Sequence, residues 1–353
     1  MPRLLPIDTA YLTSLLRQLL DTPSPTGFTD EAVSLMQAEL GRLGIPFEMT
    51  RRGAIRANLS GRRYSPDRAI VAHIDTLGAQ VKRLKENGRL ELVPIGHWSA
   101  RFAEGARCTI MTETGIRRGT ILPLKASGHT FNEEVDTAPV GWQHVELRVD
   151  ERVSGIADLM ELGLHVGDPI AIDPQPEFLT SGFIVSRHLD DKAGVATMLA
   201  AAKAVLDAGV ELPVDCHLLI TISEEVGSGA STVLHQDVAE MVTIDNGTPA
   251  PGQNSSEFGV TVAMADSTGP FDMLLTRSLI GLAREFHIPH QRDIFRYYRC
   301  DSAAAIEAGN DIRTALLCFG VDASHGYERT HVGALEDLAR LITLYMQSPP
   351  VGG

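Results

Sequence analysis

The sequence predicts an α/β fold: a mixed sheet flanked by helices, interrupted by an inserted small all-β barrel-like domain. Three observations lead there. Toward both ends of the chain, apolar runs of strand length alternate with helical patterns. From about residue 77 to 181 the texture changes to short alternating segments with frequent glycines. Acidic and histidine residues stand just past apolar runs on both sides of that interruption, where open α/β sheets bind ligands.

Residues 8–21 read as an amphipathic helix, capped by Asp8 or Thr9, with Leu12, Leu15, Leu16, Leu19 and Leu20 on its apolar face. Pro23-Ser24-Pro25-Thr26-Gly27 breaks it. A second helix runs from about Asp30 to Leu43 and stops at Gly44. Short strands are expected at Phe47–Met49, Ala54–Leu59 and Ala69–Ala72. The insertion offers Ala79–Leu84, Leu90–Pro94, Cys108–Thr112, Arg118–Leu122 and His144–Val149. Helical signals return over Asp191–Ala208, and strand, helix and loop then alternate to a last helix over about Leu335–Tyr345. The expected division is one domain of residues 1–76 plus 181–353 and an inserted β domain of residues 77–180.

The chain has 353 residues, enough for a large core and two domains. Its net charge of −14, from 45 acidic and 31 basic residues, argues against a nucleic-acid partner. No apolar stretch reaches the roughly 20 residues that span a bilayer, so no membrane partner is expected. The N-terminal apolar region is short and interrupted by Asp8, unlike a signal peptide. Cys108, Cys216, Cys300 and Cys318 show no C-x-x-C spacing and read as reduced thiols of a cytoplasmic protein.

The chemistry concentrates at Glu224-Glu225, which closes the apolar run Cys216–Ser223 and opens the loop Val226-Gly227-Ser228-Gly229. Adjacent carboxylates at the end of a buried strand are costly unless paired. A divalent cation is their simplest partner. It leaves two jobs for the pair, one Glu as ligand and the other as free base. Further candidate ligands follow apolar runs: His73 after Ala69–Ala72, Asp190 at the head of the small-residue helix, Asp245 after Met241–Ile244, and His325 or His331 after Ala315–Phe319. In His73-Ile74-Asp75 the two polar residues share one face of an extended segment, so Asp75 can accept the second ring N–H of His73. A turn or helix cap is the plainer reading of Asp75. A helix cap is likewise the plainer one of Asp191, and a turn before Asn246-Gly247 that of Asp245. Asp190 can bridge two cations through its two oxygens.

Together these residues resemble the M42 family of metallo-aminopeptidases, the glutamyl and TET-type enzymes of the zinc exopeptidase group. The matching motifs are Ala72-His73-Ile74-Asp75, Leu189-Asp190-Asp191-Lys192-Ala193-Gly194, Glu224-Glu225-Val226-Gly227, Asp245, Asp301-Ser302-Ala303-Ala304 and His325, with Gly163–Asp168 inside the insertion. The resemblance implies a zinc-exopeptidase-like sheet, an inserted domain that builds dimers, and homo-oligomers up to tetrahedral dodecamers. It implies two divalent cations per subunit (Zn, Co or Mn), one on His73, Asp190 and Asp245, the other on Asp190, Glu225 and His325. It also implies a cis peptide between Asp190 and Asp191. Hydrolysis of N-terminal residues from short peptides would then use a metal-bridged hydroxide with Glu224 as general base. Asp75 is placed with the catalytic residues, and Asp301 or a spare carboxylate near the metals is a candidate for the substrate's α-ammonium. The run Ser324–His331 resembles a bacterial subgroup associated with the osmoprotectant N-acetylglutaminylglutamine amide.

The loop Gly227-Ser228-Gly229-Ala230 departs from the family's Arg-Gly-Ala, and Gly326-Tyr327 replaces Ser-Pro after the last His. These departures put substrate preference in question. Arg292, Arg296 and Arg299 favour a second reading, an amidase or deacylase acting on an N-blocked or amidated small peptide, because Arg grips carboxylates bidentately. A solvated basic face is the plainer account of the three. A non-catalytic scaffold is a third reading, disfavoured because every ligand type and the base are present.

Overall fold

The computed structural model describes residues 1–351. A nine-stranded mixed sheet forms its centre, in the order Phe47–Met49, Ile55–Leu59, Cys216–Thr221, Asp67–His73, Val238–Gly247, Arg313–Gly320, Val260–Asp266 and Gly269–Pro270. The strand His290–Ile294 also pairs with Val260–Asp266. The four middle strands, from Cys216–Thr221 to Arg313–Gly320, are parallel. Parallel strands need both faces covered, and alternation along them divides two cores. Ile70, Ala72, Leu218, Ile220, Val242 and Ile244 enter the larger one. Ala69, Val71, Leu219 and Met241 enter the opposite one.

The larger core holds the helix Leu189–Asp207, buried on nearly every side. Its run of alanines lets the helices Thr9–Asp21 and Val332–Gln347 and the sheet approach it closely. Thr9–Asp21 is capped by Asp8, which accepts from the Tyr11 amide. Asp30–Leu43 ends at Gly44 in left-handed conformation (φ 70°).

Between Gly78 and Ile172 six strands close a barrel: Gly78–Leu84, Arg89–Ile95, Val145–Val149, Gly115–Pro123, Arg107–Thr112 and Pro169–Ile172, in that spatial order. Leu90, Ile110, Ile121, Leu147 and Ile170 fill it. A third, three-stranded sheet of Glu177–Phe178, Phe183–Ser186 and Glu328–His331 lies where the chain leaves the barrel. Among the described residues no helix is long and apolar enough to cross a membrane, and all four cysteines are free and buried. One local expectation changes. The Asn246-Gly247 dipeptide is no turn, because the strand Val238–Gly247 runs through it, paired to Phe319 and Gly320.

Candidate metal centre and cleft

His73 is the last residue of its buried strand. Its Nδ1 lies 3.0 Å from the main-chain oxygen of Asp75. A carbonyl only accepts, so Nδ1 carries the hydrogen. In the neutral ring Nε2 is then a bare lone pair, 3.1 Å from Oδ1 of Asp190. His325 repeats the arrangement. Its Nδ1 sits 2.8 Å from the carbonyl oxygen of His97, and its Nε2 lies 3.4 Å from Oδ2 of Asp190 and 3.8 Å from Oε2 of Glu225. Two imidazole lone pairs thus face the two oxygens of one carboxylate. Lone pair against lone pair at such distances requires a positive charge between them, a proton or a metal cation.

Ligand atoms converge in two overlapping groups, His73 with Asp190 and Asp245, and Asp190 with Glu225 and His325, each within 4.8 Å. Asp190 belongs to both. Imidazole nitrogens with carboxylate oxygens suit Zn²⁺, Co²⁺ or Mn²⁺, so the donor set fits the expected cations. Charge points the same way. Asp190, Asp191 and Asp245 are buried, and among the described residues no Lys or Arg forms a salt bridge with any of the three. The buried Lys192 donates to the Thr22 carbonyl instead, at 2.7 Å. Burial therefore pushes Asp245 up to about 8 and Asp191, Glu224 and Glu225 well above the carboxylate range. Asp190 is the exception. Burial works against its charge too, but His325 and His73 hold its carboxyl low. Burial also opposes both imidazoliums, yet the carboxylates outweigh it and push His73 well up and His325 up to about 10.

Glu224 belongs to neither ligand group; its Oε2 lies 3.8 Å from His73 Nε2. It lines a cleft of about 580 Å³ together with Glu225, Asp245, Tyr298, Arg299 and His325.

Four side chains hold this constellation in place. The Asp75 carboxylate does not take the His73 ring proton as its main role: Oδ1 is 3.6 Å from Nδ1, and the ring N–H goes to the Asp75 carbonyl. The carboxylate instead accepts the main-chain N–H of Glu224 at 3.1 Å and of Glu225 at 3.3 Å, and the Thr26 hydroxyl at 2.7 Å. Asp191 is no helix cap. Its side chain caps no helix amide: Oδ2 accepts the His73 amide at 3.2 Å, Oδ1 has no partner among the described residues, and the Asp190–Asp191 peptide is cis. Glu328, 2% exposed, joins the two groups by accepting the amides of His325 (2.9 Å) and Asp190 (3.2 Å). The Asn246 amide donates to Asp190 Oδ2 at 2.6 Å and to Asp245 Oδ1 at 3.2 Å. The roles of Glu328 and Asn246 were not read from the sequence. An acid three residues past a candidate ligand His was the available signal for Glu328.

His331 and Asp301 both lie apart from the acidic group. His331 is the N-cap of the last helix, with Nδ1 accepting from Gly333 and Nε2 directed at the Ser181 carbonyl; His325 alone reaches the acidic group. Asp301, the expected holder of the substrate's ammonium, lies away from the cleft. It is 1% exposed, lines no part of the cleft, and both its oxygens are taken, by the Thr221 hydroxyl (2.6 Å) and the Ala230 amide (2.6 Å). Its work is to clamp the loop after the Glu pair. Gly229 makes that possible, since a Cβ there would stand 2.0 Å from Asp301 Oδ1. The three arginines also separate. Arg299 faces the cleft and pairs with Glu307, whereas Arg292 and Arg296 are exposed and line none of it.

A family model described as M42 glutamyl aminopeptidase matches residues 53–341. The chain belongs to the M42 peptidase family. This M42 chain is 38% identical over 338 residues to the putative aminopeptidase YhfE of Bacillus subtilis, covering 96% of this chain and 97% of that one. The fold matches a TET aminopeptidase from a marine sediment archaeon, a thaumarchaeote, with TM-score 0.87 at 18% identity over 96% and 98% of the two chains. It also matches the TET1 peptidase of Pyrococcus horikoshii, with TM-score 0.82 at 20% identity over 96% and 100%. The protein is an aminopeptidase of the M42 family, a peptide-bond hydrolase with the mixed sheet and inserted barrel expected of it.

Proposed function

We propose that this M42 aminopeptidase removes N-terminal residues from short peptides with two divalent cations, one held by His73, Asp190 and Asp245 and one by Asp190, Glu225 and His325. The observation that carries the reading is the pair of Nδ1-anchored imidazoles whose Nε2 atoms face opposite oxygens of Asp190. When bound, the cations acidify the attacking water and polarise the substrate carbonyl. Glu224, outside both ligand groups and within the cleft, takes the water's proton and returns it to the departing amine. Asp75 aims Glu224 and Glu225 through their amides. With Asp301 committed to the loop, the substrate's α-ammonium is left to the carboxylates of the cleft.

Homo-oligomerisation through the barrel domain belongs to the same proposal. It is supported by the P. horikoshii TET1 peptidase, which can assemble into a tetrahedron or a large octahedral shell. Four buried free thiols support a cytoplasmic setting.

The test is hydrolysis of free and N-acetylated short peptides by metal-stripped protein resupplied with Zn²⁺, Co²⁺ or Mn²⁺. Metal-restored cleavage of free N-termini alone is expected. Cleavage of blocked peptides alone would establish the amidase reading instead. Glu224→Gln should keep its metal and lose about 10²–10⁴ in kcat; near-normal turnover sinks the base assignment.

A further inference from the structure

Among the described residues, Arg299 is the only Lys or Arg that lines the cleft. The other charged walls are the carboxylates of Asp190, Glu224, Glu225 and Asp245. Arg299 lies in the loop before the helix Asp301–Glu307, and its side chain is 39% exposed, so a ligand can reach it. A guanidinium offers five N–H donors. Among the described residues one acceptor takes one of them: Nη2 donates to Glu307 Oε2 at 2.7 Å. Glu307 stands outside the cleft and is 58% exposed. A pair this exposed adds little to stability, so it does not explain an arginine at this place. It does restrict the side chain, and it leaves enough donors for a bidentate grip on a second carboxylate.

The surrounding charges show which side of the cleft it serves. Glu307 does most to favour the charged guanidinium, burial opposes it weakly, and Glu224 comes next, ahead of every other cleft carboxylate. Arg299 therefore lies on the Glu224 side. Glu224 is the group that returns its proton to the departing amine, so the residue bonded to that amine leaves past Arg299. In a dipeptide that residue carries the free C-terminal carboxylate, one carbon removed from the amine nitrogen. Four carboxylates in the walls oppose the entry of another, and Arg299 supplies the local counter-charge.

We infer that Arg299 is a specificity residue that grips the free C-terminal carboxylate of dipeptide substrates. The inference rests on the aminopeptidase reading above. A peptide with an amidated C-terminus offers Arg299 no ionic partner and is the poorer substrate.

The experiment uses the full-length, metal-loaded parent, Arg299→Ala and Arg299→Lys with Leu-Leu, Leu-Leu amide and Glu-Leu amide. The parent should prefer Leu-Leu over its amide by about 10-fold to 10²-fold in kcat/KM, the scale for one bidentate contact between charged groups. Most of the difference should lie in KM. Arg299→Ala should bring the ratio to about 1. Arg299→Lys should keep only part of it, since an ammonium has no planar fork. Calorimetric affinities of the slow variant Glu224→Gln, with and without Arg299→Ala, should show the same change in ratio. Equal use of acid and amide by the parent, or a ratio that survives Arg299→Ala, overturns the inference. So does loss of Glu-Leu amide cleavage with the Leu-Leu ratio unchanged, which would make Arg299 a reader of acidic N-terminal side chains. A fall shared by all three substrates, with a shifted pH profile, also overturns it, because Arg299 would then be a positioning residue for Glu224. If the parent cleaves no free peptide with any metal, the aminopeptidase reading fails, and the calorimetric ratio alone decides the role of Arg299.

Discussion

Asp75→Asn measures how much the fold invests in aiming the Glu pair. The Asp75 side chain is 0% exposed, so solvent screens none of its interactions. Its two oxygens accept three hydrogen bonds, Oδ1 from the Glu224 amide and Oδ2 from the Glu225 amide and the Thr26 hydroxyl. Asn keeps the shape and only one oxygen. With its NH₂ in place of Oδ1 it meets the Glu224 N–H donor to donor. With NH₂ in place of Oδ2 it meets the Glu225 N–H, while the Thr26 hydroxyl can turn and accept. Either orientation leaves one buried main-chain N–H unpaired, which costs about 1–3 kcal/mol. The surviving amide bond also loses its ionic acceptor, about 1 kcal/mol more. One negative charge fewer relieves repulsion in the metal-free protein and offsets part of this. The expected loss is therefore about 2–4 kcal/mol for metal-loaded protein, and smaller without metal. A shift of the Glu224 backbone by about 1 Å would lower kcat by roughly 10²-fold. Urea unfolding with and without Zn²⁺, and kcat on a free dipeptide, read both numbers. Unchanged midpoint and unchanged kcat would refute the assignment of Asp75 to the Glu pair.

Glu328→Gln removes one of the two acceptors that join His325 to Asp190; metal affinity should weaken about 10–100-fold by chelator competition, with the fold intact. Gly229→Ala would drive a Cβ to 2.0 Å from Asp301 Oδ1. Displacing that carboxylate from Thr221 and Ala230 should cost about 2–4 kcal/mol in denaturant unfolding and depress turnover, because the same loop carries Glu224. Asp67, buried at the far end of its strand, has its carboxyl pushed up to about 7 by burial and by Asp237 and Asp215. A carboxyl whose folded pKa exceeds an unfolded value of about 4 takes up protons on folding, so stability falls as pH rises from about 4 to 7 and stays lower above. Asp67→Asn should thus raise Tm over the parent more at pH 8 than at pH 5. An equal gain at both pH values counts against the shifted carboxyl.

Elements with local signals are legible in the order of the amino acids. Amphipathic spacing placed Leu12, Leu15, Leu16, Leu19 and Leu20 on the buried face of Thr9–Asp21. Apolar runs located the buried strands Asp67–His73 and Cys216–Thr221, and the polar residues after them marked the site, because parallel strands bring their carboxyl ends to one edge. Glycine-rich alternation marked the barrel. Packing, in contrast, fixes which polar residues meet. His325 and His331 are alike by spacing, and only the strand Glu328–His331, paired with Phe183–Ser186, turns His331 into a helix cap. Asp301 and Asp75 carry the same carboxylate, but one is spent on a loop and the other on the Glu pair. Glu328 reaches Asp190 across 138 positions of chain. Hydrogen-bond partners so distant in sequence leave no local pattern, since their meeting depends on how the sheet, helix and loop pack together.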